Sequence, residues 1–249
     1  MRDLPSLFAA FRNGDRAALA RLITRIEDGR DLESVESSLL QVPAAPGVIA
    51  VTGAPGAGKS VLVAQLAAAL QAGGKRVGVL AIDPDSPITG GALLGDRVRM
   101  APAGEDLFIR SLSARGGTGG ISPHTAHTIQ LMRAFGFDRV LVETVGAGQG
   151  DHAVVPLADV TVLVTMPGAG DAVQWEKAGL AELAKIVVVN KSDLPGAEAL
   201  ASVIHASLSL GDREAPPILL TTATKGDGIS ALADAIEKAL NKSDGSVKP

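Results

Sequence analysis

The glycine-rich segment Gly53-Ala-Pro-Gly-Ala-Gly-Lys59-Ser60 lies between an apolar run and a stretch with helical periodicity. Its GxxxxGK[ST] spacing lets backbone N–H groups turn inward around phosphates, and the positive end of the following helix points to the same place. In this pattern a lysine such as Lys59 reaches the β- and γ-phosphates, and a hydroxyl such as that of Ser60 binds Mg²⁺. The segment predicts a nucleoside triphosphate site formed by Gly53, Ala54, Pro55, Gly56, Ala57, Gly58, Lys59, Ser60 and Val61.

Three carboxylates stand at positions that suit a metal ion beside the phosphates. Asp83 comes directly after a predicted strand, Asp96 lies in a glycine-rich segment, and Glu143 ends a buried apolar strand. Such acids bind Mg²⁺ directly or through water, so we expect Ser60, Asp83, Asp96 and Glu143 to form the metal site. On spacing alone, Asp83 also fits a turn opener, and Asp96 also fits a loop cap.

A second motif, Asn190-Lys191-Ser192-Asp193, follows the apolar run Ile186–Val189. The carboxylate of Asp193 can accept two N–H donors from guanine, a pattern that adenine does not offer, while Asn190 and Lys191 brace the loop. The same four letters recur at 241–244, where they follow a helix and enter a polar tail. We therefore interpret the second copy as coincidental.

A further loop, at 222–229, supports the choice of guanine. It begins with Thr222, Ala223 and Thr224 and resembles the SAxxGxGI segment that supports the base, with Thr222 in place of serine. The order of phosphate loop, acid-xx-Gly and NKxD motif predicts GTP rather than ATP.

Glu143-Thr-Val-Gly146 has the form of a loop that senses the γ-phosphate, since an acid ends the strand and the N–H of Gly146 can contact that phosphate. Most such loops carry aspartate, but the longer Glu143 side chain still reaches Mg²⁺ through water. Ala147 stands where fast GTPases have a water-orienting glutamine, and Gln149 lies two residues further on. We expect slow intrinsic hydrolysis, with Lys59, Asp83, Asp96, Glu143 and Gly146 as catalytic residues.

These motifs need a scaffold that brings strand ends together, and the hydrophobic pattern predicts one. From Val48 onward, strands alternate with helices, and several strands are continuous Val/Ile/Leu runs, which is typical of a doubly wound, mainly parallel α/β sheet. The predicted strands are Val48–Thr52, Val77–Ile82, Asp106–Arg110, Arg139–Glu143, Val160–Thr165, Ile186–Asn190 and Ile218–Thr221. The predicted helices are Lys59–Gln71, Pro123–Phe135, Asp171–Leu183, Gly196–Leu208 and Ile229–Leu240.

The first 45 residues are expected to form a helical arm and linker. Residues 6–28 read as an amphipathic helix broken at Asn13-Gly14-Asp15, and a short helix follows at Leu32–Leu40. This arm contains no catalytic motif, and a cap on the main domain is favoured over a partner-binding arm. Residues 46–241 are predicted to form the P-loop GTPase domain, and 242–249 a polar tail.

Composition excludes several classes of protein. The 249 residues are 46 % hydrophobic and 20 % charged, which excludes wholesale disorder, and cysteine is absent, which excludes disulfide scaffolds and thiol catalysis. A net charge of -4 argues against broad binding to nucleic acid or anionic membranes. The sequence has neither a secretory leader nor a run of membrane-spanning length, so a cytoplasmic protein is expected.

The chain resembles the MeaB/ArgK-type G proteins, chaperones of adenosylcobalamin-dependent methylmalonyl-CoA mutase, from about Gly14 to Leu240. The resemblance is carried by Gly53–Ser60, Asp83-Pro-Asp-Ser, Thr89-Gly-Gly91, Leu94–Met100, Gly116–Gly120, Val142–Gln149, Pro167-Gly-Ala-Gly-Asp171 and Asn190–Asp193. It implies a GTPase that gates adenosylcobalamin loading or rescue of an acyl-CoA mutase of the methylmalonyl-CoA, isobutyryl-CoA or 2-hydroxyisobutyryl-CoA type. The implied ligands are GTP or GDP and Mg²⁺, and the cobalamin-binding subunit of the mutase is expected to hold the corrinoid.

The resemblance also implies roles that spacing does not give. Asp83 and Asp96 match metal-associated acids of the family, and Asp171 and Lys177 match a mobile loop that couples nucleotide state to the mutase. Arg99 and Gln149 match positions near the switch regions.

Two departures from the family pattern stand out. The chain stops soon after Leu240, whereas family members usually continue into a helical dimerisation arm, so a homodimer would not form through such an arm. Trp175-Glu176 occupies a loop where smaller or apolar residues are usual, which is consistent with a different partner surface.

Three alternatives remain open from the residues. A nickel-insertion GTPase would need soft or imidazole ligands, and the four histidines show no chelating cluster, although His124 and His127 are spaced to share a helix face. A nucleotide-dependent protein kinase is disfavoured by the NKxD motif. A nucleotide-dependent binding module with negligible turnover differs from the main hypothesis only in rate.

Overall fold

Seven strands form one sheet in a computed structural model that describes residues 3–39, 47–83, 107–113, 121–144, 149–168, 179–209 and 215–244. The strands are β1 Val48–Gly53, β2 Val77–Asp83, β3 Leu107–Ser113, β4 Arg139–Glu143, β5 Val160–Thr165, β6 Ile186–Asn190 and β7 Ile218–Thr221. Their order in the sheet is β3-β2-β4-β1-β5-β6-β7, and every pairing is parallel. This confirms the predicted α/β fold.

Helices pack on both faces of the sheet, and three of the described helices precede β1 in the sequence. They are α1 Leu4–Arg12, α2 Arg16–Glu27, α3 Leu32–Leu39, α4 Lys59–Ala72, α5 Thr125–Ala134, α6 Gln149–Val154, α7 Leu180–Leu183, α8 Ala197–Leu208 and α9 Ile229–Asp244, with a 3₁₀ turn at Val155–Leu157. Within the described ranges, no helix is long and apolar enough to cross a membrane.

The sheet divides the core into layers. Strands β1, β5 and β6 are buried along their whole length, which explains their unbroken apolar sequences. One face packs against α4 and α9 through residues such as Leu66 and Ile236. The opposite face packs partly against α5 and the N-terminal helices, and partly against α7 and α8.

The N-terminal helices share their core with the sheet. Leu19, Leu22 and Ile23 of α2 belong to one buried cluster with Met132 of α5 and Val142 of β4. The guanidinium of Arg16 donates to the carbonyl of Leu107, while Arg110 of β3 forms an ion pair with Glu27, so α2 is also attached to the edge strand. These contacts fit a cap on the main domain, although the boundary at residue 45 lies outside the described residues and stays a prediction.

Several element bounds differ from those predicted. Strand β3 begins at Leu107 and continues to Ser113 rather than ending at Arg110. Its second half, Arg110-Ser-Leu-Ser113, is mostly polar, which suits an edge strand, so the loss of hydrophobicity at Arg110 does not mark the end of the strand. Helix α9 continues through the second Asn-Lys-Ser-Asp copy to Asp244. Of the helix predicted at 171–183, Leu180–Leu183 is helical, and 171–178 lies outside the described residues.

Candidate nucleotide-binding site

The phosphate loop begins where β1 ends and leads directly into α4. Gly53 has φ +133° and Gly58, which caps α4, has φ +86°. A Cβ at Gly53 would lie 1.9 Å from the carbonyl oxygen of Val164, and one at Gly58 would lie 2.6 Å from Nδ2 of Asn190. Both positions therefore require glycine for backbone conformation and for space.

Lys59 opens α4, and its side chain turns back into the loop. Its Nζ donates to the carbonyl oxygens of Gly53 at 2.9 Å and Ala54 at 3.0 Å, and the residue is only 6 % exposed. A buried ammonium held by loop carbonyls at a helix N-terminus is placed to exchange those oxygens for phosphate oxygens.

Ser60 and Glu143 meet across the boundary between α4 and β4. The Oγ of Ser60 donates to Oε1 of Glu143 at 2.6 Å, and Glu143 is buried. Strand register brings them together, because Glu143 pairs with Val51 just before the phosphate loop. A hydroxyl and a carboxylate in contact are oxygen donors of the kind that Mg²⁺ prefers, so these residues fit the predicted metal site.

Thr144 fixes the backbone that follows Glu143. Its N–H donates to the carbonyl oxygen of Val51 at 3.1 Å, and its hydroxyl donates to that of Thr52, also at 3.1 Å. Both threonines are buried. The strand therefore holds its register up to the point where the predicted γ-phosphate loop begins.

The remaining acids and switch residues are less completely described. Asp83 is the last residue of β2, and its backbone pairs with Ser113, while Ala81, two residues earlier, pairs with Glu143. Because the strands are parallel, Asp83 lies on the side of the sheet where the carboxyl ends of the strands meet, as does the phosphate loop. Gln149 begins α6. The other predicted residues lie outside the described residues, namely Asp96, Arg99, Gly146, Asp171 and Lys177.

Asn190 connects the two predicted ends of the nucleotide site. Its Nδ2 donates to the carbonyl oxygen of Ala57 in the phosphate loop at 2.8 Å. Its Oδ1 accepts from the hydroxyl of Thr221 at 3.0 Å and from the N–H of Ala223 at 3.1 Å. The side chain is buried, so the bracing predicted for Asn190 extends to both neighbouring loops.

Lys191 adds a second connection between the same loops. Its Nζ donates to the carbonyl oxygen of Gly56 at 2.8 Å, and its backbone adopts φ +57°. Ser192 fixes the motif to the end of β7, since its N–H donates to the Thr221 carbonyl at 2.9 Å. Its hydroxyl lies 3.0 Å from that of Thr222.

Asp193 lies at the exposed end of the motif, beside the loop at 222–228. Its Oδ2 forms an ion pair with Nζ of Lys225 at 3.1 Å. Lys225 occupies an unspecified position of the SAxxGxGI pattern, so no spacing rule points to it.

The histidines show one pair but no larger cluster. The rings of His124 and His127 lie 6.3 Å apart at the start of α5, as their spacing predicts. Among the described residues, there is no group of three or more His, Cys, Asp or Glu side chains that could hold a metal ion.

A parallel sheet with a GxxxxGKS loop after β1 and an NKxD motif after β6 defines the class of P-loop GTPases. The family described as methylmalonyl Co-A mutase-associated GTPase MeaB matches residues 19–247. The chain belongs to this family, and it is a GTP hydrolase.

Relatives of known name agree with this assignment. A putative GTPase of Pyrococcus abyssi is 44 % identical over 246 residues, with 94 % of this chain and 75 % of the relative covered. GTPase ArgK of Escherichia coli is 35 % identical over 239 residues, with 90 % and 72 % covered. The crystal structure of an LAO/AO transport system kinase matches with a TM-score of 0.76 and 26 % identity, covering 98 % of this chain and 78 % of that one.

Proposed function

We propose that this GTPase is a G-protein metallochaperone that gates adenosylcobalamin loading or rescue of an acyl-CoA mutase. The family match over residues 19–247 carries the proposal, because that family is described by its association with methylmalonyl-CoA mutase. In this proposal the cobalamin-binding subunit of the mutase holds the corrinoid, and this chain supplies the nucleotide-dependent step.

The proposed chemistry is in-line attack of water on the γ-phosphate of GTP. Lys59 exchanges the carbonyls of Gly53 and Ala54 for β- and γ-phosphate oxygens, and the N–H of Gly146 contacts the γ-phosphate. Mg²⁺ supplies positive charge that stabilises the transferring phosphoryl group. The residues proposed to hold it are Ser60, Asp83, Asp96 and Glu143.

The guanine base is proposed to lie between the two loops that follow β6 and β7. Asp193 accepts the two N–H donors of guanine, and the backbone at Thr222, Ala223 and Thr224 supports the base. Asn190 fixes the position of the base-binding loops relative to the phosphate loop, because its side chain forms hydrogen bonds with both Ala57 and Ala223.

Partner binding is proposed to reorder the segments that contain Arg99, Gln149, Asp171 and Lys177 and so to accelerate hydrolysis. Because residue 147 is alanine, the site lacks the water-orienting glutamine that is usual at that position. A partner that completes such a site accelerates hydrolysis by about 10³-fold or more.

The test is GTP hydrolysis by the full chain, alone and with the cobalamin-binding subunit of a candidate acyl-CoA mutase. Lys59→Ala is the inactive blank, and Lys75→Ala, between α4 and β2, is the matched lysine control. We expect acceleration of at least about tenfold, which is well below the roughly 10³-fold that full completion of such a site can supply. Acceleration of less than about twofold with mutases of all three acyl-CoA types would contradict the proposal.

The same assay with ATP addresses the kinase alternative. We expect GTP to be strongly preferred, because adenine lacks the paired N–H donors that Asp193 accepts. Equal use of ATP, with transfer of phosphate to the mutase subunit, would favour a protein kinase instead.

A further inference from the structure

Lys225 contacts the carboxylate to which the proposed function assigns base recognition. Its Nζ lies 3.1 Å from Oδ2 of Asp193, which is hydrogen-bond distance. The side chains are 59 % and 41 % exposed, so the pair lies at the surface rather than in the core.

The turn that carries Lys225 is well defined by its own backbone hydrogen bonds. The N–H of Lys225 donates to the carbonyl oxygen of Thr222 at 2.8 Å, and that of Gly226 donates to Ala223 at 3.3 Å. Thr222 and Asp227 form an antiparallel bridge that closes the turn. The position from which the Lys225 side chain extends is therefore fixed.

The segment that carries Asp193 is attached to the same turn. Ser192 bonds through its N–H to the carbonyl of Thr221 at 2.9 Å and approaches the Thr222 hydroxyl at 3.0 Å. Both partners of the ion pair thus belong to one locally connected unit, and the pair can form without movement of distant elements.

Guanine needs both oxygens of the Asp193 carboxylate, one for N1–H and one for the exocyclic amino group. In the structure Oδ2 already accepts from an ammonium group, which is a stronger donor than a neutral N–H. We propose that Lys225 is an affinity-determining residue that competes with guanine for Asp193. The inference depends on the proposed role of Asp193 in binding the base.

Exposure limits the size of the effect. An exposed ion pair changes an equilibrium by about fivefold at most, because water and salt screen the two charges. Competition by Lys225 therefore weakens guanine nucleotide binding by about twofold to fivefold, which favours release of GDP without abolishing specificity.

The test compares the dissociation constant of a fluorescent GDP analogue for the full chain and for Lys225→Met, which keeps the aliphatic side chain and removes the charge. We expect Lys225→Met to bind about twofold to fivefold more tightly. Lys225→Arg, which keeps a cation, and Lys238→Met, an exposed lysine of α9, are expected to match the original chain. The advantage of Lys225→Met should shrink between about 0.1 M and about 1 M KCl, because the screening length falls from about 10 Å to about 3 Å.

Binding by Lys225→Met that equals or is weaker than that of the original chain would overturn the inference. Asp193→Ala separates this failure from failure of the proposed function. If Asp193→Ala weakens GDP binding while Lys225→Met does not tighten it, competition is wrong and base recognition by Asp193 stands. If Asp193→Ala leaves GDP binding unchanged, the proposed role of Asp193 is wrong, and the inference falls with it.

Discussion

In the proposed site, Asp193 selects a purine by what its carboxylate can accept. In Asp193→Asn, the side-chain NH₂ group donates a hydrogen bond at the position where one oxygen of the Asp193 carboxylate accepts one. It therefore fits xanthine, whose exocyclic group at that position is a carbonyl. We expect GTP binding to weaken by about 100-fold, the size of a lost charge-assisted hydrogen bond, and xanthosine triphosphate to bind better than GTP. Competition of the two nucleotides against a fluorescent GDP analogue measures the switch.

The second Asn-Lys-Ser-Asp copy supplies the control for this substitution. Asp244 occupies the last position of α9, in the same four-residue sequence as Asp193. Asp244→Asn should leave the preference for GTP unchanged. A change of preference in Asp244→Asn, or none in Asp193→Asn, would show that the wrong copy has been assigned to the base.

At the same scale, motif spacing predicts some contacts of the site and not others. The meeting of Ser60 with Glu143 follows from the motifs, because two adjacent parallel strands must end at one edge. The contact of Lys191 with the Gly56 carbonyl does not follow from spacing, since it depends on how the loop after β6 folds back. Spacing does not indicate the contact of Lys225 with Asp193 either, because the two residues are more than thirty positions apart in sequence.

At the scale of elements, strand β4 and helix α9 are joined by a two-point ion pair. Arg139 donates through Nε and Nη2 to the two carboxylate oxygens of Glu237, at 2.6 Å and 2.5 Å. These hydrogen bonds lower the pKa of Glu237 below its usual value, against the opposing effect of partial burial. They also raise the pKa of Arg139.

Because the folded-state pKa of Glu237 is depressed, the ion pair stabilises the fold above the unfolded-state pKa of about 4.3. That stabilisation is lost as the pH falls through the lower folded-state pKa. We expect Glu237→Gln to reduce the free energy of unfolding by about 1 kcal/mol at neutral pH, a value that allows for partial solvent screening. Urea unfolding at a series of pH values measures it.

The difference between Glu237→Gln and the original chain should shrink as the pH falls below the unfolded-state pKa of Glu237 and disappear below its lower folded-state pKa, where the carboxyl is protonated in both states. Asp234→Asn, exposed on the same helix, is the control and should change stability by less than about 0.5 kcal/mol. A stability difference for Glu237→Gln that stays constant down to acid pH would contradict the ion-pair explanation.

Strands in the middle of the sheet are among the elements whose bounds the sequence predicts well. The predicted bounds of β4, β5 and β6 match the structure, since their apolar runs end where the strands end, and those of the short edge strand β7 match as well. The ends of β3 and α9 do not match, because polar residues are mixed with apolar ones up to the end of each. Periodicity alone therefore marks where such elements exist but not where they stop.

At the scale of the whole molecule, the N-terminal helices and the sheet are expected to unfold together. Leu22 of α2 is fully buried in the cluster that includes Met132 and Val142. Leu22→Ala should lower the free energy of unfolding by about 3 kcal/mol, because it removes buried apolar surface and leaves a cavity. Calorimetry should show one transition at a lower temperature.

Leu183→Ala provides the matched control, because Leu183 is 45 % exposed. Its effect should stay within about 0.5 kcal/mol. Two separate transitions for Leu22→Ala, with the later one unshifted, would mean that the N-terminal helices fold as an independent arm.

The attachment of α2 to β3 has a further consequence for how the protein behaves in a crowded solution. The outermost strand of a sheet presents unpaired N–H and C=O groups that can recruit strands from other chains and start aggregation. At one edge of the sheet, Arg16 donates a hydrogen bond to the Leu107 carbonyl of β3. At the opposite edge, β7 has only four residues. The contacts of α2 thus occupy part of this seven-residue edge strand, β3, and we expect that release of α2 would leave the strand more open to neighbouring molecules.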